Sequence, residues 1–597
     1  MTFKTFSKYL SQLEATSSRL EITKILADLL KEASAEEVDK ICYLSLGQLA
    51  PLYEGIEFNM AEKLLYRAIS QAFNVSEEAV RRGYKKVGDL GEVTHQFKIQ
   101  NAKIKITIQN SKLSVNEVYE KLLGIAKESG EGSVERKIRG MADLLKSLDE
   151  LSVKYVVRMP LGRLRLGFSD LTIMDALSSL VVGDKSKREE IEDAFNVQAD
   201  IGHIARLVKE KGLKGLRGIK VNLGVPIMSG LCQRLPTADE MIEKMGKVVV
   251  EPKYDGTRLQ MHFSRQKQEK KEETLLFDFK PKGFIRTFTR NLENTTRMFP
   301  DIAEAAFKEI NAQEVILDGE AIGYDAKTGK FLPFQETIKR KRKYDVTLTA
   351  QKIPLKYYVF DILYKDGEDL LKVPFERRRQ ILEKVILKGS KTILLSPQIV
   401  TEDPQVLRRY HDEQKKHGLE GVVVKKWQAP YDPGRRGFTW VKFKEEETKK
   451  GGGLADTLEC VVMGYYRGKG KRADFGIGAF LVGVRESEDS DMFLTISKIG
   501  TGLSDEQWRE MRKKCQIANV KSQIKPKQYK VNKNLEPDVW CDPQIVVEIQ
   551  ADNITVSPIH TAGLALRFPR LVRFRDLKAP EEATTLQEAK KLYRMQK

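Results

Sequence analysis

The sequence predicts a multidomain chain, with an all-α domain first, an α+β domain in the middle and a small β-barrel last. Three observations carry this. The 597 residues are too many for a single hydrophobic core. Apolar residues recur at three- and four-residue spacing through the N-terminal third, whereas strand-like runs begin near Val221. The triplet Gly451-Gly452-Gly453, directly after Lys449-Lys450, is a flexible joint by composition, and glycine-rich turns between short strands follow it. The expected domains are residues 1–215, 216–447 and 448–597.

In the first domain, Phe3, Phe6, Tyr9, Leu10 and Leu13 among polar residues predict an amphipathic helix rather than a signal peptide. Ile22–Ala33 and Met60–Phe73 continue the helical pattern with few prolines. The piece Gly162-Arg163-Leu164-Arg165-Leu166-Gly167 is either an ordinary basic loop or a phosphate grip, since glycines admit close backbone approach and arginines fork onto phosphate oxygens. In the second domain the expected strands are Lys247–Glu251, Leu259–Phe263, Glu314–Leu317, Leu355–Phe360, Gly421–Lys425 and Trp440–Phe443. Helical stretches Glu376–Leu387 and Pro404–His417 lie between them. The charge-rich run Ser264–Glu273 reads as an exposed hairpin extension. In the third domain the strands are Leu458–Tyr466, Gly478–Val484 and Met492–Ile499.

Composition narrows the function. With 103 Lys and Arg against 84 Asp and Glu, the formal charge is +19, which attracts polyanions and raises encounter rates with nucleic acid. The five cysteines are scattered, which excludes the close pairs of a zinc ribbon, gives no sign of a disulfide framework and fits a reducing compartment. No apolar run reaches the length of a membrane span, so the expected location is cytoplasmic.

The chemistry concentrates in five pieces. Glu251-Pro252-Lys253-Tyr254-Asp255-Gly256-Thr257-Arg258 joins a valine-rich strand to an alternating one, so that Lys253 projects from a rigid turn. To attack phosphorus its amine must be neutral, and nearby cations or a metal would favour that form. Alone, this turn reads more often as a surface loop with a solvated lysine. Asp318-Gly319-Glu320 places two carboxylates on one strand face, suited to a divalent cation or a ribose. Phe360-Asp361 offers a ring to stack on a base, and Glu420–Lys425 and Trp440–Lys444 follow, with Lys442 and Lys444 on one face.

This order resembles the motifs of the covalent nucleotidyltransferases, and within them the ATP-dependent DNA ligases of the archaeal and eukaryotic replicative type. The likeness extends over nearly the whole chain, including Lys498-Ile499-Gly500-Thr501-Gly502 and the run Arg567–Asp576. It implies an all-α DNA-binding domain, an α+β adenylation domain and a C-terminal OB-fold. Lys253 would carry AMP, with Glu251 on the adenine amino group, Arg258 and Glu320 on the ribose, and Phe360 and Val423 on the two faces of the base. Arg290, Arg436, Lys442 and Lys444 would meet phosphates, and Arg567 and Arg570 the departing pyrophosphate. Glu320 and Glu420 would hold Mg2+ or another divalent cation, ATP would be the cosubstrate, and Arg163 and Arg165 would touch DNA.

The implied reaction has three steps: self-adenylation, transfer of AMP to the 5′-phosphate of a nick in duplex DNA, and attack by the 3′-hydroxyl. The implied state is a monomer, with nicked double-stranded DNA as partner, a sliding clamp as a further candidate and no membrane. Two departures stand out: the segment between Arg258 and Arg290 is longer than usual for the family, and Pro252 replaces a residue that is commonly not proline. RNA ligases and capping enzymes are rivals, against which the helical first third and the C-terminal arginines argue. The missing cysteine cluster argues against an NAD+-dependent ligase. A non-catalytic nucleic-acid-binding protein is the rival from another class; the intact lysines and glutamates argue against it.

Overall fold

A computed structural model gives the protein's architecture. It describes all residues except 17, 105–112, 163, 165, 167, 236, 268–282, 343–344, 444–456, 469–474, 519–524, 577 and 596–597. The triplet Gly451–Gly453, most of the expected hairpin extension, and Arg163, Arg165 and Lys444 therefore lie outside the described residues. The chain divides into two compact units, Met1–Glu445 and Glu446–Lys597.

The first unit begins with a helical region that runs from the helix Phe3–Ala15 to the helix Ile201–Lys211. The first helix buries Phe3, Phe6, Leu10 and Leu13, the face its spacing predicts. Polar caps start many of these helices, because an oxygen side chain satisfies an orphan N–H in the first turn. Thr2, Ser18, Ser76, Asp149 and Asp200 each accept from such an N–H, and Ser114 and Glu117 form a reciprocal capping box. Asn74, Gly88 and Gly183 end helices in the left-handed region. Among the described residues no helix is long and apolar enough to cross a membrane.

Two sheets follow. The first comprises β1 (Leu231–Arg234), β2 (Val248–Pro252), β9 (Ile399–Thr401), β10 (Val422–Lys426) and β11 (Arg436–Phe443), in the order β1-β11-β10-β2-β9. The second runs β4-β3-β5-β6-β7, with β8 on β6. Its members are β3 (Thr257–Ser264), β4 (Phe284–Thr289), β5 (Glu314–Gly323), β6 (Leu355–Lys365), β7 (Glu368–Asp369) and β8 (Ile393–Leu395). Leu259, Met261 and Phe263 point from one face of β3 into a core with Leu317, Val359 and Leu382.

The other face of β3 holds the connection from the helical region. Arg258 Nη1 donates to Gly230 O at 2.9 Å, Gln260 Nε2 donates to Ile227 O at 3.0 Å, and Gly224 N donates to His262 Nδ1 at 3.1 Å. Side chains two apart on a strand share a face, so three consecutive members of that face grip the backbone of one passing segment.

His262 is fully buried there, and burial, with Arg286 and Lys267 nearby, pushes its pKa down to about 3. The unfolded chain therefore binds this proton first. Its contribution is complete above pH 6.5 and is lost as pH falls toward 3. Stability should drop by about 1 kcal/mol from pH 7.5 to pH 5.5 on this account. Denaturation midpoints of the wild type and His262→Gln over that range check it: equal pH slopes would refute the assignment.

The second unit contains β12 (Leu458–Arg467), β13 (Ile477–Arg485), β14 (Phe493–Ile499), β15 (Tyr529–Lys530), β16 (Val539–Trp540), β17 (Val546–Gln550), β18 (Asn553–Val556), β19 (Leu564–Arg567) and β20 (Arg570–Phe574). One sheet has the order β15-β14-β13-β12-β17-β20 with β16 on β12, and β18 pairs with β19. The helix Asp505–Ile517, started by a Ser504–Gln507 capping box, lays Trp508, Met511 and Cys515 on the core. The expected strands correspond to β12, β13 and β14. The shorter ones, two to five residues long, escape sequence reading because so few residues show little measurable alternation.

Candidate active site

Lys253 lies in the connection from β2 to β3, where the chain leaves one sheet for the other. Its backbone is fixed from both sides: Lys253 N donates to Gly421 O at 2.9 Å, and Glu420 N donates to Lys253 O at 3.3 Å. This double bond pair sets Glu420 beside the lysine, and Lys253 Nζ forms an ion pair with Glu420 Oε2, the two side chains 24% and 19% exposed.

Two glycines make the arrangement possible. A Cβ on Gly256 would sit 2.5 Å from Ala321 O, and one on Gly421 would sit 2.5 Å from Phe443 O. Gly421 also has a φ of +134°, a conformation that side chains disfavour. The glycine of the Asp255-Gly256 turn is thus required by the approach of β5.

Register aligns the candidate residues in two rows. In the first sheet, Val423 pairs with both Glu251 and Lys442, so Glu251, Val423 and Lys442 cross it on one face. In the second, Arg258 pairs with Glu320, and Leu259 pairs with Thr289, which puts Arg290 at the end of β4 near that row. Arg290 is exposed, in a turn that Leu292 closes with a φ of +65°.

Phe360 owes its position to a bulge. Asp318 pairs with Asp361 and Gly319 with Val359, so Phe360 is the extra residue that faces no partner. Bulges re-aim a side chain, and here the ring is left partly exposed, edge-on to Trp440 at 5.8 Å.

The electrostatics of the rows differ. Glu251 is 2% exposed, and Lys425 Nζ meets its Oε2 at 2.6 Å. Burial nevertheless holds the Glu251 carboxyl above its ordinary range, against the pull of Lys425 and Arg379. Glu320 is raised by burial to about 8, although Arg258 and Lys253 oppose this. Asp318, also expected to face a cation or a ribose, is turned away from that task. It binds Arg258 in a fork, Nε to Oδ1 at 3.0 Å and Nη2 to Oδ2 at 2.6 Å, and accepts from Tyr431 OH at 2.7 Å. Burial alone would lower the Arg258 pKa, but Asp318 outweighs it and raises it. The guanidinium expected at the ribose is therefore committed to Asp318, Gly230 and Tyr431, and Glu320 presents the less encumbered carboxyl group.

Lys442 stands in the first row, and Arg436 begins β11, though nothing of its side chain is described. Its neighbour Arg435 pairs with Glu189 at 2.8 Å and Asp193 at 2.6 Å, both in the helical region. In the second unit, Arg567 ends β19 beside Phe568, and Arg570 opens β20 paired with Asp552 at 2.8 Å.

Sequence reasoning missed two supports. Lys425 is 1% exposed and lies 4.5 Å from the centroids of both Phe360 and Trp440 while it holds Glu251. Arg378 clamps Asp361 through bonds of 2.7 and 3.0 Å, which fixes the bulge that carries Phe360; the strand expected to end at Phe360 continues to Lys365. A lysine within the run Val422–Lys425 was a visible signal; Arg378, on an ordinary helix, gave none.

Comparisons with known proteins agree with this architecture. The family described as DNA ligase N terminus matches residues 2–178, the ATP dependent DNA ligase domain matches 276–444, and the ATP dependent DNA ligase C terminal region matches 473–578. A "Probable DNA ligase" of Dictyoglomus thermophilum is 44% identical over 605 residues, covering 100% of this chain and 98% of its own. A "DNA ligase" of Sulfolobus acidocaldarius is 37% identical over 611 residues, covering 99% and 98%. A solved chain described as Pmar-Lig_PreS3 shares the fold at a TM-score of 0.52 and 18% identity, covering 96% of this chain and 99% of that one. With full-length relatives at this identity, and with the lysine cleft their likeness leads one to expect, the chain belongs to the ATP-dependent DNA ligase family.

Proposed function

We propose that the protein seals nicks in duplex DNA through AMP carried on Lys253. The observation that carries this is the placement of Lys253 at the crossing of two sheets, with its Nζ on Glu420 and the row Glu251–Val423–Lys442 beside it. Glu251 retains a buried Oε1 without a hydrogen-bond partner among the described residues, which suits a base with an exocyclic amino group. In the first step Nζ attacks the α-phosphorus of ATP, the bond to the bridging oxygen breaks, and pyrophosphate leaves. Glu420 is the acceptor bonded to Nζ for the departing proton. AMP then passes to the nick 5′-phosphate, and the 3′-hydroxyl displaces it.

Glu320 and Glu420 would hold Mg2+ or another divalent cation. No group of three or more such ligands gathers among the described residues, and magnesium commonly takes one or two carboxylates and completes its shell with phosphate oxygens and water. When bound it neutralises phosphate charge. In this reading Lys442 and Arg290 face the same phosphates, Arg436 and Lys444 join them as the family likeness implies, and Phe360 and Val423 enclose the base, while Arg258, held by Asp318, lies beside Glu320 at the ribose.

Residues 1–215 serve as the DNA-binding domain, 216–447 as the adenylation domain and 448–597 as an OB-fold barrel with a C-terminal tail. The net charge of +19 supports sequence-independent grip on phosphates, with Arg163 and Arg165 among the contacts. A monomeric state and a sliding clamp as further partner rest on the family likeness, and a cytoplasmic location on the scattered cysteines.

Incubation with α-labelled ATP and magnesium, then a denaturing gel, tests the reading: no covalent label on the wild type overturns it. A double substitution Arg567→Ala/Arg570→Ala probes the barrel. Self-adenylation should fall about a hundredfold or more, as two charge-assisted contacts to pyrophosphate are lost. Sealing of a nick that already carries 5′-AMP releases no pyrophosphate and should suffer less. Equal losses in the two assays would assign these arginines to DNA instead.

A further inference from the structure

We propose that Gln398, with Glu251, reads the exocyclic amino group of the nucleotide's base and so sets the preference for ATP over keto purines. This rests on the nucleotide site assigned above and names a residue that neither the motifs nor the mechanism uses.

On β2 and β9, Val248 pairs with Thr401, Val249 with Val400 and Val250 with Ile399. One further step of this antiparallel ladder sets Gln398 opposite Glu251. Opposed residues share a face, with side chains close enough to meet on one ligand atom. The row described above thus extends to Gln398–Glu251–Val423–Lys442, spanning three strand intervals, roughly 14 Å at the usual strand spacing. Base recognition falls at one end of the row and phosphate recognition at the other.

The second observation concerns unpaired atoms. Gln398 Oε1 and Glu251 Oε1 are both buried acceptors without a hydrogen-bond partner among the described residues. Lys425 is spent on the other oxygen of Glu251. Arg379 approaches Glu251 Oε1 only to 3.9 Å, beyond hydrogen-bond range, while its Nε and Nη1 serve Glu383 and Ser396 O at 2.9 and 3.0 Å. The segment is anchored as well, since Ser396 N donates to Val359 O at 2.8 Å.

Two buried acceptors left without donors carry a desolvation cost that one chemical group relieves on both sides at once. An amino group on an aromatic ring has two N–H donors diverging in the ring plane. A keto oxygen at the same position would add a third acceptor to the pair and be rejected. Sites built to hydrogen-bond a substrate group discriminate strongly against analogues that lack it.

The experiment measures formation of the lysyl-nucleotide with α-labelled ATP and α-labelled inosine triphosphate, which carries a keto group in place of the amino group. Gln398→Ala should raise the KM for ATP about tenfold, the worth of one hydrogen bond, with kcat close to wild type and the KM for inosine triphosphate unchanged or lower. The ATP preference then shrinks about tenfold. Gln398→Glu keeps acceptor oxygens and should retain the preference, and it carries the test should the alanine variant misfold. An unchanged preference in Gln398→Ala, at full labelling with saturating ATP, overturns the inference. So does a collapse of preference in a folded Gln398→Glu. Neither result touches the broader reading, which fails only if the wild type takes no label from ATP.

Discussion

Replacement of Lys253 by alanine should abolish covalent labelling by α-labelled ATP, and arginine at this position should do no better. Alanine removes the nucleophile outright. Arginine keeps the charge and the reach but is not deprotonated in proteins, so it presents no lone pair to phosphorus. It would still pair with Glu420, which makes it the more telling variant: the ion pair survives and the reaction does not. The third step offers an internal control, because a nick that already carries 5′-AMP needs no lysyl adduct. Both variants should therefore retain some sealing of that substrate while failing on an ordinary nick. Label on either variant equal to wild type would remove Lys253 from the mechanism, and Lys442, next along the cleft, would be the lysine to examine.

Substitution of Asp318 by alanine should cost stability rather than chemistry first. Asp318 is fully buried, and the Arg258 side chain it holds is only 16% exposed. Loss of one partner from a buried ion pair leaves the other charge uncompensated, at about 3 to 5 kcal/mol. Arg258 also touches Gly230 O and Tyr431 OH, so the loosened guanidinium should disturb the connection to the helical region as well. Urea unfolding followed in the first unit should show the lower midpoint, with Asp318→Asn intermediate because an amide can still accept from Arg258. Wild-type stability in Asp318→Ala, with labelling lost, would instead return Asp318 to the ribose or the metal, the role its strand position first implied.

That difference marks what a sequence can convey. Lys253 and Glu251 are legible because they stand at a strand end with apolar neighbours that announce the strand, and Phe360 because it closes an apolar run, although that strand continues to Lys365. Strand alternation also tells that Asp318 and Glu320 share a face. It cannot tell that Arg258, on the adjacent strand, will claim one of them, since pairing between strands far apart in sequence leaves no local trace. Phe360 shows the same limit: its aromatic character is readable, but the extra residue that turns it outward appears only once β5 and β6 are in register. Gln398 sits outside every motif, between two short strands, and gains meaning only from the ladder that sets it across from Glu251. The arginines at 163 and 165 carry a visible basic signal, and they lie outside the described residues.

The segment laid over β3 works as a caliper. Arg258, Gln260 and His262 grasp it at residues 230, 227 and 224, and every grip is on main-chain oxygen or nitrogen. Such contacts are blind to the side chains of the segment and sensitive to its length. Substitution between the grips leaves all three intact, whereas one inserted or deleted residue puts at least one of them out of phase. The tie between the helical region and the catalytic sheet is thus encoded as a residue count, a quantity that survives extensive change of sequence and does not survive a single indel.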